Sequence, residues 1–104
     1  MFARVNSGDM PADQMEAFVK MIRDEVIPRA KGLQGFKGGY WLADRSTGKV
    51  LGVTLFESVE ALKASEAQAG RIREEASRGP GVPEPTFHEY EVIATAEVAD
   101  RIAA

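Results

Sequence analysis

Residues 35–66, GFKGGYWLADRSTGKVLGVTLFESVEALKASE, hold an aromatic run, a turn, a β-branched run and a helix start in immediate succession. Phe36, Tyr40, Trp41 and Leu42 form the first run, Asp44-Arg45-Ser46-Thr47-Gly48 the turn cluster, and Val50 to Phe56 the second run. Together they predict a β-hairpin. Along the second strand Val50, Thr54 and Phe56 share one parity, and Leu51, Val53 and Leu55 share the other. Alternate side chains point to opposite faces, so burying either set alone leaves large apolar residues in water. Both faces of the sheet need cover.

Outward from the hairpin, Phe2 to Asn6 reads as a short strand and Ser7-Gly8-Asp9 as a turn. Met15, Phe18, Val19, Ile22 and Val26 then recur at helical spacing, with Pro11 tolerated at the start and Asp13 and Glu16 near the positive end of the helix. Pro28 is expected to end or kink that helix, with Gly32 as a later stop. After the hairpin, Ser58 is placed to cap a second helix with Val59, Leu62, Ala69, Ile72 and Ala76 on its apolar side, running to about Ser77. The segment from Gly79 to Pro85, rich in Gly and Pro, is a loop, and Thr86 to Thr95 is a last strand carrying Phe87, Tyr90, Val92 and Ile93.

The order β-α-β-β-α-β predicts an α+β, ferredoxin-like domain over residues 1–95, a four-stranded antiparallel sheet with two helices on one face, followed by a tail over 96–104. That arrangement leaves the second face bare. A second copy of the same face is its simplest cover, which predicts a homodimer through the open sheet face.

Composition narrows the function classes. The chain has 104 residues, 44% of them hydrophobic, no cysteine and a net charge of −3 with acids and bases interleaved. Disulfide and thiolate chemistry are excluded, and the electrostatic footprint of a nucleic-acid binder is missing. No apolar run approaches the ~20 residues of a membrane span and no signal-like segment is seen, so a soluble, cytoplasmic protein without membrane contact is expected.

The order of elements, Gly35-Phe36 opening the second strand, and Val53-Thr54-Leu55-Phe56-Glu57-Ser58 leading from the third strand into a helix resemble the dimeric α/β-barrel superfamily that includes the antibiotic-biosynthesis monooxygenases. The resemblance covers residues 2–95. It implies a pocket between sheet and helices, used in some members for oxygen chemistry on electron-rich aromatic molecules without metal or flavin. The haem-degrading branch wants an asparagine on the first strand and a tryptophan and histidine about ten residues apart on the second helix. Asn6 suits the first role, but Ser65 and Glu75 stand at the other two positions, so haem degradation of that type is not expected.

Few residues are left to carry chemistry. His88 is the only histidine, available as a general base near neutral pH, and it shares a strand face with Tyr90; the pair are the candidate catalytic residues, with a surface or interface role as the plainer alternative. Trp41 and Asn6 are the candidate ligand-binding residues, Trp41 as a stacking surface that would also serve as ordinary core. Gly38 and Gly39 suggest a bulge or a close approach, and no phosphate loop, because strand continues after them. Glu89 and Glu91 share one face, and Arg71 to Glu75 read as a solvated helix face with an i, i+4 pair. No spacing announces a metal site, and no cofactor is called for. Two functions remain open: a cofactor-independent monooxygenase or related enzyme acting on a small aromatic molecule, and a non-catalytic dimeric binding or scaffold protein.

Overall fold

The structure is a computed structural model and describes residues 1–66 and 86–96. Four strands, β1 (Phe2–Asp9), β2 (Phe36–Asp44), β3 (Lys49–Phe56) and β4 (Thr86–Glu91), form one antiparallel sheet in the order β2-β3-β1-β4. This is the α+β, ferredoxin-like arrangement predicted from the hairpin and its flanks. A helix crosses from β1 to β2, and α3 (Val59–Ala64) follows β3 directly. Both helical segments feed one core, in which Ile22, Val26 and Leu33 meet Phe56 and Leu62. Phe56 is fully buried, with Phe36 edge-on to its ring at 5.9 Å between centroids. The remainder of the second helix beyond Glu66, the Gly- and Pro-rich loop up to Pro85 and the tail from residue 97 lie outside the described residues, and with them Ala69, Ile72, Ala76 and the charged run from Arg71 to Glu75.

The hairpin forms where the turn cluster placed it. Asp44 accepts hydrogen bonds from the backbone N–H and the hydroxyl of Ser46, at 3.0 and 2.7 Å, which tightens the turn and holds the Asp44 carboxyl below its usual pKa. Gly48 closes it at φ +84°, in the left-handed region, and a Cβ there would lie 2.7 Å from the Met10 carbonyl oxygen. Ser58 caps α3 as expected, its hydroxyl accepting from the Ala61 N–H at 3.0 Å.

Three boundaries differ from the sequence-based expectation, each for a reason in the pairing or the backbone. Strand β1 runs on through Ser7, Gly8 and Asp9, because β3 supplies ladder partners to the end: Gly8 opposite Val50 and Asp9 opposite Lys49. The turn moves to Met10, whose N–H donates to the Gly48 carbonyl. At the other end β4 stops at Glu91 and not at Thr95, since its partner strand begins at Phe2; the Val92 N–H donates to the Met1 carbonyl and nothing is left to pair beyond it.

The third difference is Pro28. It does not end the helix. Helix α1 (Met15–Met21) widens into a π-turn at Ile22–Val26 and resumes as α2 (Ile27–Ala30), with Pro28 in the first turn of the resumed segment. A proline has no N–H to donate and its ring crowds the carbonyl four residues back, here that of Asp24, so widening the preceding turn lets the chain continue. The helix then stops at Lys31-Gly32.

Candidate functional site

Cross-strand register decides which side chains share the helix-covered face. Asn6 on β1 stands opposite Gly52 on β3, and Gly52 opposite Trp41 on β2, so the three form one row across the sheet. The missing side chain of Gly52 gives the indole its bed. A Cβ on Gly52 would lie 3.4 Å from Cδ1 and Nε1 of Trp41 and 3.7 Å from Nδ2 of Asn6, which brings the two candidate ligand-binding residues together. Gly39 makes room on the same strand as Trp41: a Cβ there would meet the Val53 carbonyl oxygen at 2.6 Å and Trp41 Cη2 at 3.3 Å. The register slips between Phe36 and Gly38, a β-bulge of the kind the paired glycines suggested.

Between the first helix and β2 lies a cleft of about 510 Å³. Phe18, Ile22 and Ile27 line it from the helix, Phe36 and Trp41 from the strand, and residues 38–40 and 42–43 of β2 along its edge. The cleft has the size range and apolar lining of a small-molecule site. Among the described residues, Arg23 and Lys31 are the charged members of its lining. Sequence reading missed both, although Arg23 sits next to Ile22 on the helix side that the apolar series identifies.

Arg4 is a further residue of this face that the sequence patterns did not single out. It is only 1% exposed, on the inward parity of β1 between Phe2 and Asn6. Its guanidinium donates to the Leu62 carbonyl at 3.0 Å and to Glu66 Oε1 at 3.1 Å, and lies 5.3 Å from the centre of the Phe56 ring. Inward polar residues on alternate positions of a strand, Arg4 then Asn6, were the available signal. Two buried polar atoms here, Arg4 Nε and Asn6 Oδ1, have no hydrogen-bond partner among the described residues. An unpaired buried polar group costs about 1–3 kcal/mol, so this part of the sheet holds polarity that plain core packing does not account for.

His88 and Tyr90 lie on the other face. They are opposite Val5 and Ala3 of β1, in the rows that continue to Val53 and Leu55 on β3. Their rings are 6.4 Å apart and Tyr90 is 54% exposed. The structure therefore separates the four sequence-derived candidates into two pairs, Asn6 with Trp41 under the helices and His88 with Tyr90 on the open side. Glu89 and Glu91 share the face of Arg4 and Phe2 and are exposed. Ser65, at one of the haem-branch positions, is buried with its hydroxyl donating to the Leu62 carbonyl at 2.9 Å; Glu75, at the other, lies outside the described residues.

Solved structures share this architecture. A monooxygenase from Streptomyces coelicolor, the product of ActVA-Orf6, bound to nanaomycin D, superposes with a TM-score of 0.72 at 17% identity, covering 93% of this chain and 92% of the other. The fold of this chain is the ferredoxin-like α+β fold seen in structures of antibiotic-biosynthesis-monooxygenase proteins. A candidate antibiotic biosynthesis monooxygenase of Deinococcus radiodurans gives 0.74 at 13% identity over 94% of this chain and 98% of that one. The haem degrader MhuD of Mycobacterium tuberculosis, with two haems in its active site, gives 0.71 at 22% over 93% and 100%. At such identities the likeness to these monooxygenase-like proteins establishes the fold, and function has to be argued from the site. No family model matches the chain. Among curated proteins, the uncharacterised Rv2557 of Mycobacterium tuberculosis strain H37Rv is 28% identical over 83 residues, 80% of this chain; the match spans 37% of that relative's length. Among the described residues no helix is long and apolar enough to cross a membrane.

Proposed function

We propose that the protein binds a small, flat aromatic molecule in the cleft between the first helix and β2 and oxidises it as a cofactor-independent monooxygenase. The cleft of about 510 Å³ with Trp41 in its wall carries the reading, because an indole bedded on a glycine strand offers a fixed stacking surface to a planar ring. Asn6 lies across Gly52 from that indole and is not among the residues that line the cleft, so its part would be to steady the indole from behind. The S. coelicolor neighbour, a monooxygenase with nanaomycin D bound, supports the choice of chemistry.

Such a reaction draws its electrons from the substrate. An anthrone-like ring methylene gives one proton to solvent, and the resulting carbanion is oxidised by molecular oxygen, forming a C–O bond to a peroxide. The peroxide O–O bond then breaks as the second C–H proton is lost; one oxygen stays as the new carbonyl and the other leaves as water. The protein's part is to hold the ring, exclude bulk water and stabilise developing negative charge. Oxygen uptake with anthrone and hydroquinone-like substrates is the test. Turnover that Trp41→Ala lowers at least ten-fold and His88→Ala leaves intact fits the proposal; no turnover across a broad aromatic panel refutes it, and loss with His88→Ala would move the chemistry to the open face.

A second reading, a non-catalytic binding protein, is favoured by the placement of His88 across the sheet from the cleft. Saturable ligand binding without oxygen uptake would select it.

We also infer that two copies pair through the open face. Val5, Leu51, Val53 and Leu55 run through its centre, flanked by Leu42, Tyr40 and Tyr90, which are 49%, 65% and 54% exposed. A contiguous apolar and aromatic surface of this kind marks an association site. His88 and Tyr90 then belong to the paired surface.

A further inference from the structure

We infer that the cleft selects an anionic ligand, a flat aromatic carrying a carboxylate, sulfonate or phenolate, held by Arg23 and Lys31. The inference rests on the reading of the cleft as a ligand site and adds the charge of what enters it.

Three observations meet here. Among the described residues the lining holds two cations and no acid, in a chain whose net charge is −3, so the charge of this part of the lining is opposite in sign to the molecule's. Among the described residues neither cation is neutralised: the ion pairs join Arg4 to Glu66, Lys20 to Asp24 and Arg45 to Glu16. Lys20, one turn before Asp24 on the same helix, is held by that carboxylate, which raises its pKa, whereas Arg23 beside it has no such partner. Finally, Arg23 in the π-turn and Lys31, which caps the end of the helical run, both line the cleft beside Ile22 and Ile27.

An apolar floor with cations at the rim distinguishes between ligands of equal shape. A neutral aromatic gains only the burial of its rings, while an anion of the same skeleton also gains charge-assisted hydrogen bonds, at low cost because long basic side chains keep their heads near water. Arg23 offers a planar fork suited to a carboxylate or sulfonate, and Lys31 a mobile point charge able to follow a phenolate. For the oxidation proposed above, cations so placed would also stabilise the carbanion that oxygen attacks.

A pair of probes of one skeleton tests this, 1-anilinonaphthalene-8-sulfonate and neutral N-phenyl-1-naphthylamine, each titrated while Trp41 emission is read. Trp41 is the only tryptophan and stands in the wall of the cleft, so saturable quenching reports there. For the Arg23→Gln/Lys31→Gln variant the expected result is an affinity for the sulfonate about ten-fold lower, with the neutral probe within two-fold of wild type, which also shows that the fold is intact. A control that removes the same charge elsewhere, Lys49→Gln/Lys63→Gln, is expected to keep both affinities. Equal sulfonate loss in variant and control, or unchanged sulfonate affinity in the variant, overturns the charge selection and leaves the cleft as an apolar ligand site. Failure of both probes to quench Trp41 in wild type overturns the ligand site itself, and the inference with it.

Discussion

The two faces of β3 show how differently one strand can be used. On one side Val50, Gly52, Thr54 and Phe56 face the helices; on the other Leu51, Val53 and Leu55 face outward into a surface the single chain does not cover. The covered side spends two of its four positions on a glycine and a threonine, and that loss of bulk is what lets Trp41 lie against Gly52 and Thr54 donate to the Arg4 carbonyl at 3.4 Å. The open side is aliphatic from Leu51 to Leu55, with Lys49 at its exposed end. A face built only to fill a core would carry the larger residues, so the pattern fits the ligand cleft proposed for the helix side and the pairing proposed for the other.

That contrast can be broken first in the core. Phe56→Ala removes a fully buried ring packed on Phe36 and Leu62, and is expected to cost about 3–5 kcal/mol of unfolding free energy in urea. On the opposite face Val53→Asp should leave the far-ultraviolet circular dichroism of wild type while halving the mass seen by light scattering at micromolar concentration, from twice the 11.3 kDa of one chain to 11.3 kDa. A wild-type mass already at one chain would end the pairing proposal.

Smaller effects sharpen the picture at the borders of the two faces. Ser58→Ala deletes the cap of α3 and is expected to cost about 1 kcal/mol, read from the same urea transitions. At the hairpin turn the sign follows from the direction of the shift. The hydrogen bonds from Ser46 hold the Asp44 carboxyl below its ordinary 3.8, so its contribution is present above that value and is lost as pH falls through the folded one. The difference in stability between wild type and Asp44→Ala is therefore expected to be constant from pH 7 to about 5 and to shrink below 3.8.

Local signals in the chain were enough for the hairpin, the cap at Ser58 and the order of elements, because alternation, turn chemistry and capping act within a few residues. The π-turn was not legible: Pro28 announces a disturbance, and whether the chain bends, stops or widens depends on how Ile22 and Val26 seat in the core. Nor was the full length of β1, whose last residues obey the reach of β3 more than their own turn propensity. In the site, parity separated Tyr40 from Trp41 and His88 from Glu89 correctly in advance. Which parity faced the helices was fixed only by register, through Phe2, Phe36 and Phe56 in one row, and that register sets Asn6 beside Trp41 and His88 away from it. Arg23 and Lys31 escaped notice since their significance lies in what surrounds them in space.

The division of labour between the faces is tested most directly by Trp41 fluorescence during titration with a flat aromatic such as anthraquinone-2-carboxylate, in wild type and in His88→Ala. The structure predicts saturable quenching, at one ligand per chain and with the same affinity in both proteins. Quenching that never saturates, or an affinity that collapses in His88→Ala, would contradict it.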